Sequence, residues 1–312
     1  MKKTLLHILA AATVLFTVAA CSKEEDDGFI FNPDASGPVA PAAPQGKVAS
    51  RLEVPALKEG NLLLSHWSIE GGDSVMTFCV EYDKKKYHSR WVAFRFDATT
   101  AARKVGRKDY DIKPQYPIDP LLPTAYAIES DASFQGYQHG HLVASADRLY
   151  SRTANDNTFY MTNMSPQTAK FNSPYWSEFE QFVQGKGRDR SFADTLYVCK
   201  GGTIDKEAHI IEYVSRGRMA VPRYYFMALL KVKNGKYTSL GFWMEHKSYG
   251  SKAPERSEMR QKTLSIDELE ELTGIDFFHN LPDVVENATE KLCLPSAWGL
   301  WKRRCSDGAK IL

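Results

Sequence analysis

Asn234-Gly235 sits between two β-rich runs, Tyr224–Val232 and Tyr237–Met244. A two-residue hairpin loop needs positive φ at both central positions, and Asn-Gly is the pair that tolerates this best, so the two runs are expected to pair antiparallel. Leu62–Ile69 and Val75–Tyr82 flank Gly71-Gly72-Asp73 in the same manner. Trp91–Phe96 alternates and is β-rich, and Leu196–Cys199 is a short apolar run ending at Gly201-Gly202. Helical signals are fewer. Ser173-Pro174 reads as an N-cap followed by proline at the first helical position, with Trp176, Phe179 and Val183 at helical spacing behind it. Ser265 and Glu268 form a capping box, and Gly274 closes that helix after Ile266, Leu269 and Leu272. The expected class is α+β, a mixed antiparallel-rich central sheet flanked by helices, rather than a helix bundle or a βαβ repeat.

The N-terminus reads differently. Lys2 and Lys3 precede the apolar stretch Leu5–Ala19, which is short for a membrane span and ends at Val18-Ala19-Ala20-Cys21. Residues 1–20 therefore read as an export signal. The small residues running into a cysteine resemble a bacterial lipoprotein cleavage box, which implies lipidation of Cys21; a plain signal with an incidental cysteine is the alternative. Pro33, Pro38, Pro41 and Pro44 make residues 21–50 a flexible tether, with the folded domain over 51–312. The expected location is the cell envelope, at the outer membrane, with the lipid as the sole membrane contact. The acidic run Glu24-Glu25-Asp26-Asp27 fits either a surface-directing signal or the solvated start of the tether.

With Cys21 lipidated, Cys79, Cys199, Cys293 and Cys305 remain, an even count in an oxidising compartment. Cys79–Cys199 and Cys293–Cys305 are the favoured pairings, though spacing does not select among the three possible sets. Beyond residue 20 the chain carries 38 basic and 38 acidic residues. A polyanion site must then be a local patch rather than a property of the whole surface. Candidates are Lys84-Lys85-Lys86, Arg103-Lys104, Lys186, Arg188, Arg190, Arg216 and Arg218.

Two clusters carry candidate chemistry. The first is Gly136-Tyr137-Gln138-His139-Gly140-His141-Leu142, followed by Ala146-Asp147-Arg148. In a strand, His139 and His141 point the same way. The second runs Thr162-Asn163-Met164-Ser165-Pro166-Gln167, then Asn172 through Trp176 to Glu180. Eight residues of continuous helix span about 12 Å, so one ion cannot readily take both Asn172 and Glu180 as direct ligands. Asn172 as the ligand, with Glu180 holding a water of the ion, suits the spacing better.

In this order, His-Gly-His-Leu, Asn-Met-Ser-Pro-Gln and Asn-x-x-x-Trp-x-x-x-Glu resemble the DNA/RNA non-specific endonuclease family, to which mitochondrial endonuclease G belongs. Arg90-Trp91-Val92-Ala93-Phe94, Leu196-Tyr197-Val198 with Gly201, and Thr273-Gly274-Ile275 through Leu281-Pro282 extend the resemblance over roughly residues 60–285. It implies a ββα-metal active site in a sugar-non-specific endonuclease that acts on DNA and RNA without sequence preference and leaves a 5′-phosphate. It implies His141 as general base, Asn172 as the Mg²⁺ ligand (Mn²⁺ being the second choice), and Glu180 supporting the hydrated ion. Arg107 loosely matches a phosphate-contacting arginine.

There are two departures. Gln138-His139 stand where the family has Asp-Arg, so a permanent charge becomes an imidazole that is only partly protonated at neutral pH. Gln184 stands where some relatives carry arginine. These departures keep two alternatives in view: a catalytically impaired surface lipoprotein that binds nucleic acid, and a phosphoesterase with a transition metal on His139 and His141. Asn163 and Asn287 lie in glycosylation-like triplets, but a bacterial lipoprotein signal argues against that use.

Overall fold

The structure is a computed structural model that describes residues 45–301. Its strands are β1 Leu62–Glu70, β2 Asp73–Asp83, β3 His88–Phe96, β4 Gln138–His141, β5 Met164–Gln167, β6 Thr195–Gly202, β7 Ile210–Val214, β8 Met219–Pro222, β9 Tyr224–Lys233, β10 Lys236–Glu245 and β11 Thr263–Leu264. Its α-helices are α1 Gln45–Ala49, α2 Arg152–Asn157, α3 Ser177–Arg188, α4 Arg256–Arg260, α5 Ile266–Thr273 and α6 Asp283–Glu290. Seven strands form one sheet in the order β1-β2-β3-β6-β9-β10-β11, and β4/β5 and β7/β8 form two separate ribbons. Every described pairing is antiparallel.

Both faces of the sheet are apolar, and strand alternation separates them. Tyr225, Met227 and Leu229 of β9 join Phe94, Val198 and the Phe179, Phe182 and Val183 side chains of α3 on one face. Phe226, Ala228 and Leu230 join Trp91, Cys199 and the Ile266 and Leu269 side chains of α5 on the other. Each fully buried Leu, Ile, Val, Phe or Met side chain among them contributes on the order of 1.5–3 kcal/mol of transfer free energy. The catalytic candidates lie on the α3 side.

Local signals in the sequence act as expected at two places. Asn234 (φ 49°) and Gly235 (φ 70°) both take positive φ between β9 and β10. Ser265 Oγ accepts from the Glu268 amide, Glu268 Oε2 accepts from the Ser265 amide, and Gly274 ends α5 at φ 68°.

Three expectations need correction. The helix after Asn172 does not start at Ser173: that residue is extended (φ −144°, ψ 129°), the segment Phe171–Trp176 is broken there, and α3 begins at Ser177. Glu180 thus lies in the first turn of α3, not two turns into a continuous helix. Residues 45–49 do not belong to the tether in structural terms, because Val48 of α1 is buried in the core beside α5 and the Asn280 amide donates to the Ala49 and Arg51 carbonyls. Residues 1–44, with the expected signal, Cys21 and most of the tether, lie outside the described residues, as does Cys305. Among the described residues no helix is long and apolar enough to cross a membrane.

The third correction concerns Cys79–Cys199. Cys79 on β2 is registered with Ala93 on β3, and Ala93 is registered with Cys199 on β6. Two strand spacings, about 10 Å, separate the cysteines, beyond the roughly 7 Å that a disulfide bridges. Both are buried free thiols, and burial pushes both well above the ordinary thiol range. Non-reducing peptide mapping is expected to yield no Cys79–Cys199 linkage, and both thiols should resist iodoacetamide until the protein is unfolded. A linked peptide would contradict the sheet order.

Candidate active site

The β4/β5 ribbon carries the histidines, and one packing constraint explains its glycine. Gly140 pairs with Ser165, and a Cβ at position 140 would come within 2.2 Å of the Gln167 side chain. Glycine lets the Gln167 side chain lie against the ribbon between the two histidines; a larger residue would displace it. Ser165, opposite Gly140, ties the ribbon to the main sheet: His88 Nε2 lies 2.7 Å and the Tyr225 hydroxyl 2.6 Å from Ser165 Oγ. Asn163 clamps the residues after His141. Its Oδ1 accepts from the Val143 amide at 2.8 Å and its Nδ2 donates to the Val143 carbonyl at 2.9 Å. Asn163 is wholly buried, which rules out a glycan on the folded protein.

A cleft of about 890 Å³ is lined by His139, His141, Asn172, Glu180, Arg107 and, among others, Gln138 and Gln184. Residues from as far apart in the chain as Arg107 and Glu180 thus meet at one opening. His141 Nε2 is buried with no hydrogen-bond partner. Burial, followed by the charges of Arg107 and His139, pushes His141 down to about 3, so the ring is neutral at physiological pH. Phe159 packs edge-on to it at 5.1 Å.

His139 is held differently. Its ring stacks on Tyr116 at 4.2 Å and lies 4.3 Å from Phe134, and Nε2 donates to the Ala132 carbonyl at 2.9 Å. Burial lowers its pKa as well. The position that carries arginine in the family therefore offers an uncharged ring fixed in the cleft wall. With Nε2 donating to Ala132, Nδ1 is the ring atom of His139 left to accept.

Asn172 Nδ2 donates to Gln138 Oε1 at 2.8 Å, which leaves the amide oxygen as the atom available to a cation. Glu180 Oε1 accepts from Trp176 Nε1 at 2.9 Å, one helical turn away. Burial pushes the Glu180 carboxyl up, Lys200 pulls it back down, and Asp147 adds to the rise. Arg107 lies over Tyr110 at 4.4 Å and Phe159 at 4.7 Å, in the connection between β3 and β4. That connection is pinned by buried Asp119, which binds His66 Nε2 at 3.0 Å and Thr162 Oγ1 at 2.5 Å.

Of the proposed basic groove, Arg103 lines this cleft with Arg107. Other members are engaged elsewhere, Lys86 with Glu207 and Arg216 and Arg218 with Glu129, while Arg188 donates to the carbonyl of Ala146 at the cleft wall.

The family described as DNA/RNA non-specific endonuclease matches residues 60–284. The chain belongs to this family. Among its relatives, nuclease C1 of Cunninghamella echinulata var. echinulata is 24% identical over 214 residues, covering 66% of this chain and 81% of that protein. Mitochondrial endonuclease G of Caenorhabditis elegans is 28% identical over 226 residues, covering 69% and 71%. A chain of the EndoG/EndoGI complex superposes with a TM-score of 0.57 at 19% identity, covering 71% of this chain and 89% of that chain, which shows a shared fold. The endonuclease is thus a phosphodiester hydrolase by family.

Sequence reasoning missed two parts of this endonuclease's cleft. Lys200 Nζ binds Asp147 Oδ2 at 2.8 Å with both side chains fully buried, and the lysine charge bears on both Glu180 and His141. A lysine inside the apolar run between Val198 and Gly201 was the available signal. Tyr116 had none: it stacks on His139 only because the β3–β4 connection folds back over the ribbon.

NMR titration of the histidine rings is expected to show His141 unprotonated down to about pH 5 in the free protein, with buried His88 and His246 (each pushed down to about 4) behaving alike. A His141 midpoint near the ordinary 6.5 would mean that its ring is solvated.

Proposed function

We propose that this endonuclease hydrolyses phosphodiesters in DNA and RNA without sequence preference, with His141 as general base, Asn172 as ligand to a hydrated Mg²⁺, and Glu180 holding the water shell of the ion. The observation that carries the reading is the unpartnered Nε2 of His141 in a cleft that also contains Asn172 and Glu180. The donor set suits such an ion. One amide oxygen and one carboxylate favour a hard cation that keeps most of its own water, Mg²⁺ first and Mn²⁺ second. Among the described residues, the one group of three His, Cys, Asp or Glu side chains close enough to cage an ion lies elsewhere.

In this reading neutral His141 takes a proton through Nε2 from the attacking water, a contribution of about 10²–10⁴-fold. The negative phosphodiester, once bound beside the buried ring, raises the proton affinity of the imidazole. Arg107 presents a permanent charge to the phosphate, and Arg103 adds a second. His139 is a positioning residue that holds Tyr116 and the ribbon in place. Gln138 orients Asn172 by occupying its amide nitrogen. When bound, Mg²⁺ supplies Lewis-acid charge to the phosphoryl and leaving oxygens. As the water oxygen bonds to phosphorus the bond to the 3′-oxygen breaks, the 3′-oxygen takes a proton from solvent, and the phosphate stays on the 5′ end of the other product. A second reading, a relative that binds nucleic acid without cleaving it, draws on the uncharged His139 and on Gln184.

Plasmid DNA and RNA incubated with protein starting at residue 22 are expected to be degraded in Mg²⁺ and spared in EDTA. His141→Ala should lose about 10²–10⁴-fold in rate. Asn172→Ala should cut activity sharply, and Gln138→Ala should raise the Mg²⁺ needed for half-maximal rate about 10–100-fold. Wild-type rates in both His141→Ala and Asn172→Ala would refute the site assignment; binding without cleavage in the wild type would favour the second reading.

We also propose that the protein is exported and held at the cell envelope, at the outer membrane, through lipid on Cys21. A single acyl chain binds membranes only marginally, so a stable anchor requires the multiple chains of a bacterial lipoprotein. Fatty-acid labelling in bacteria should mark the wild type and not Cys21→Ser, which should leave the membrane fraction. Labelling of Cys21→Ser would refute the proposal.

A further inference from the structure

The sheet face opposite the cleft carries α5 and α6. Ile266 and Leu269 anchor α5 in that core, Val285 of α6 packs against it, and Ser239 Oγ of β10 donates to the Thr289 carbonyl of α6 at 2.9 Å. Where the helices approach, they present carboxylates to each other. Asp267 and Glu270, three apart on α5, share a helix face, as do Glu286 and Glu290, four apart on α6. One oxygen from each of Asp267, Glu270 and Glu290 lies within 4.8 Å of the others.

Glu290 makes this more than an acidic surface. Its side chain is 4% exposed, and its buried Oε1 has no hydrogen-bond partner. A buried carboxylate oxygen without a hydrogen-bond donor is costly, and native proteins rarely leave one so. Glu270 Oε1 is satisfied by the Phe277 amide at 2.7 Å, which fixes that side chain and leaves its second oxygen for the cluster. With carboxylate oxygens of Asp267 and Glu270 within 4.8 Å of one of its own, the partner that suits Glu290 is a cation.

We infer that Asp267, Glu270 and Glu290 form a Ca²⁺ site, separate from the catalytic cleft, that clamps α6 to α5. The donors are all carboxylate oxygens, which excludes the nitrogen and sulfur preferences of zinc and copper and selects a hard cation. Three carboxylates on two different helices make an irregular cage. Ca²⁺, with 6–8 oxygens at variable angles, accepts such a cage, whereas Mg²⁺ demands a near-ideal octahedron. Water completes the shell on the exposed side.

Calorimetric titration of Ca²⁺ into the full EDTA-treated chain is expected to give one site in the wild type and in Asn172→Ala, which separates this site from the cleft. Glu290→Gln keeps the side-chain shape and removes one repelling charge, so its fold should persist in EDTA while Ca²⁺ affinity falls at least tenfold; Asp267→Asn is the second variant. At about 100 times its Kd, Ca²⁺ should raise the wild-type Tm by about 5–10 °C and leave that of Glu290→Gln unmoved. Absence of binding in the wild type, or equal binding in wild type, Glu290→Gln and Asp267→Asn, would overturn the site. Equal affinity for Mg²⁺ would overturn the choice of ion.

Discussion

The Ser165 hydroxyl is the joint on which the cleft depends. It lies across the ribbon from Gly140, and it meets His88 of β3 and Tyr225 of β9 inside the protein. All three side chains are fully buried or nearly so, so each bond is made in a medium where an unmade one would be expensive. His88 donates through Nδ1 to the Ser89 carbonyl and accepts through Nε2, which requires a neutral ring and agrees with the downward push that burial exerts on it. A four-residue ribbon has little stability of its own. Fixed to two strands of the large sheet, it holds His141 in a single position.

The cleft is built from charges that burial has displaced from their usual states. His141 is kept neutral and Glu180 is pushed toward its protonated form, while behind both sits the fully buried Lys200–Asp147 pair. A buried pair seldom adds net stability, because desolvation offsets the Coulomb gain. Its consequence here is electrostatic: one fixed positive charge discourages a proton on His141 and encourages ionisation of Glu180. The same lysine thereby favours the neutral form of His141 and the ionised form of Glu180. Replacing the family arginine by His139 fits this arrangement, since an aromatic ring between Tyr116 and Phe134 needs no counter-charge in the cleft wall.

Stability and chemistry are divided between the two faces of the sheet. The α3 face carries the ribbon, Asn172 and Glu180, while the α5 face carries α1, α5 and α6 over a second apolar layer. Strand alternation keeps the two layers independent, so residues one apart on β9 serve different cores. The concentration of carboxylates between α5 and α6 belongs to the second layer, and an ion there acts on the attachment of α6 rather than on the cleft.

Much of this was legible in the chain alone. The hairpin at Asn234-Gly235, the capping box at Ser265, the sheet-dominated class and the order His141, Asn172, Glu180 all rest on local stereochemistry or on contiguous motifs, which a sequence displays directly. The start of α3 was misplaced because Ser-Pro is a helix-start signal that tertiary packing overrode, leaving Ser173 extended. The Cys79–Cys199 pairing failed because even cysteine counts carry no information about strand order, and β3 lies between the two. Tyr116, the Gln138–Asn172 bond, the Lys200–Asp147 pair and the three-carboxylate cluster join residues tens of positions apart. Local sequence determined which segments became strands, turns and capped helices, because those preferences are settled within a few residues. Only the tertiary structure decided which of the histidines is left with a free nitrogen and which is locked in the wall, because burial and neighbouring charge are properties of the folded chain.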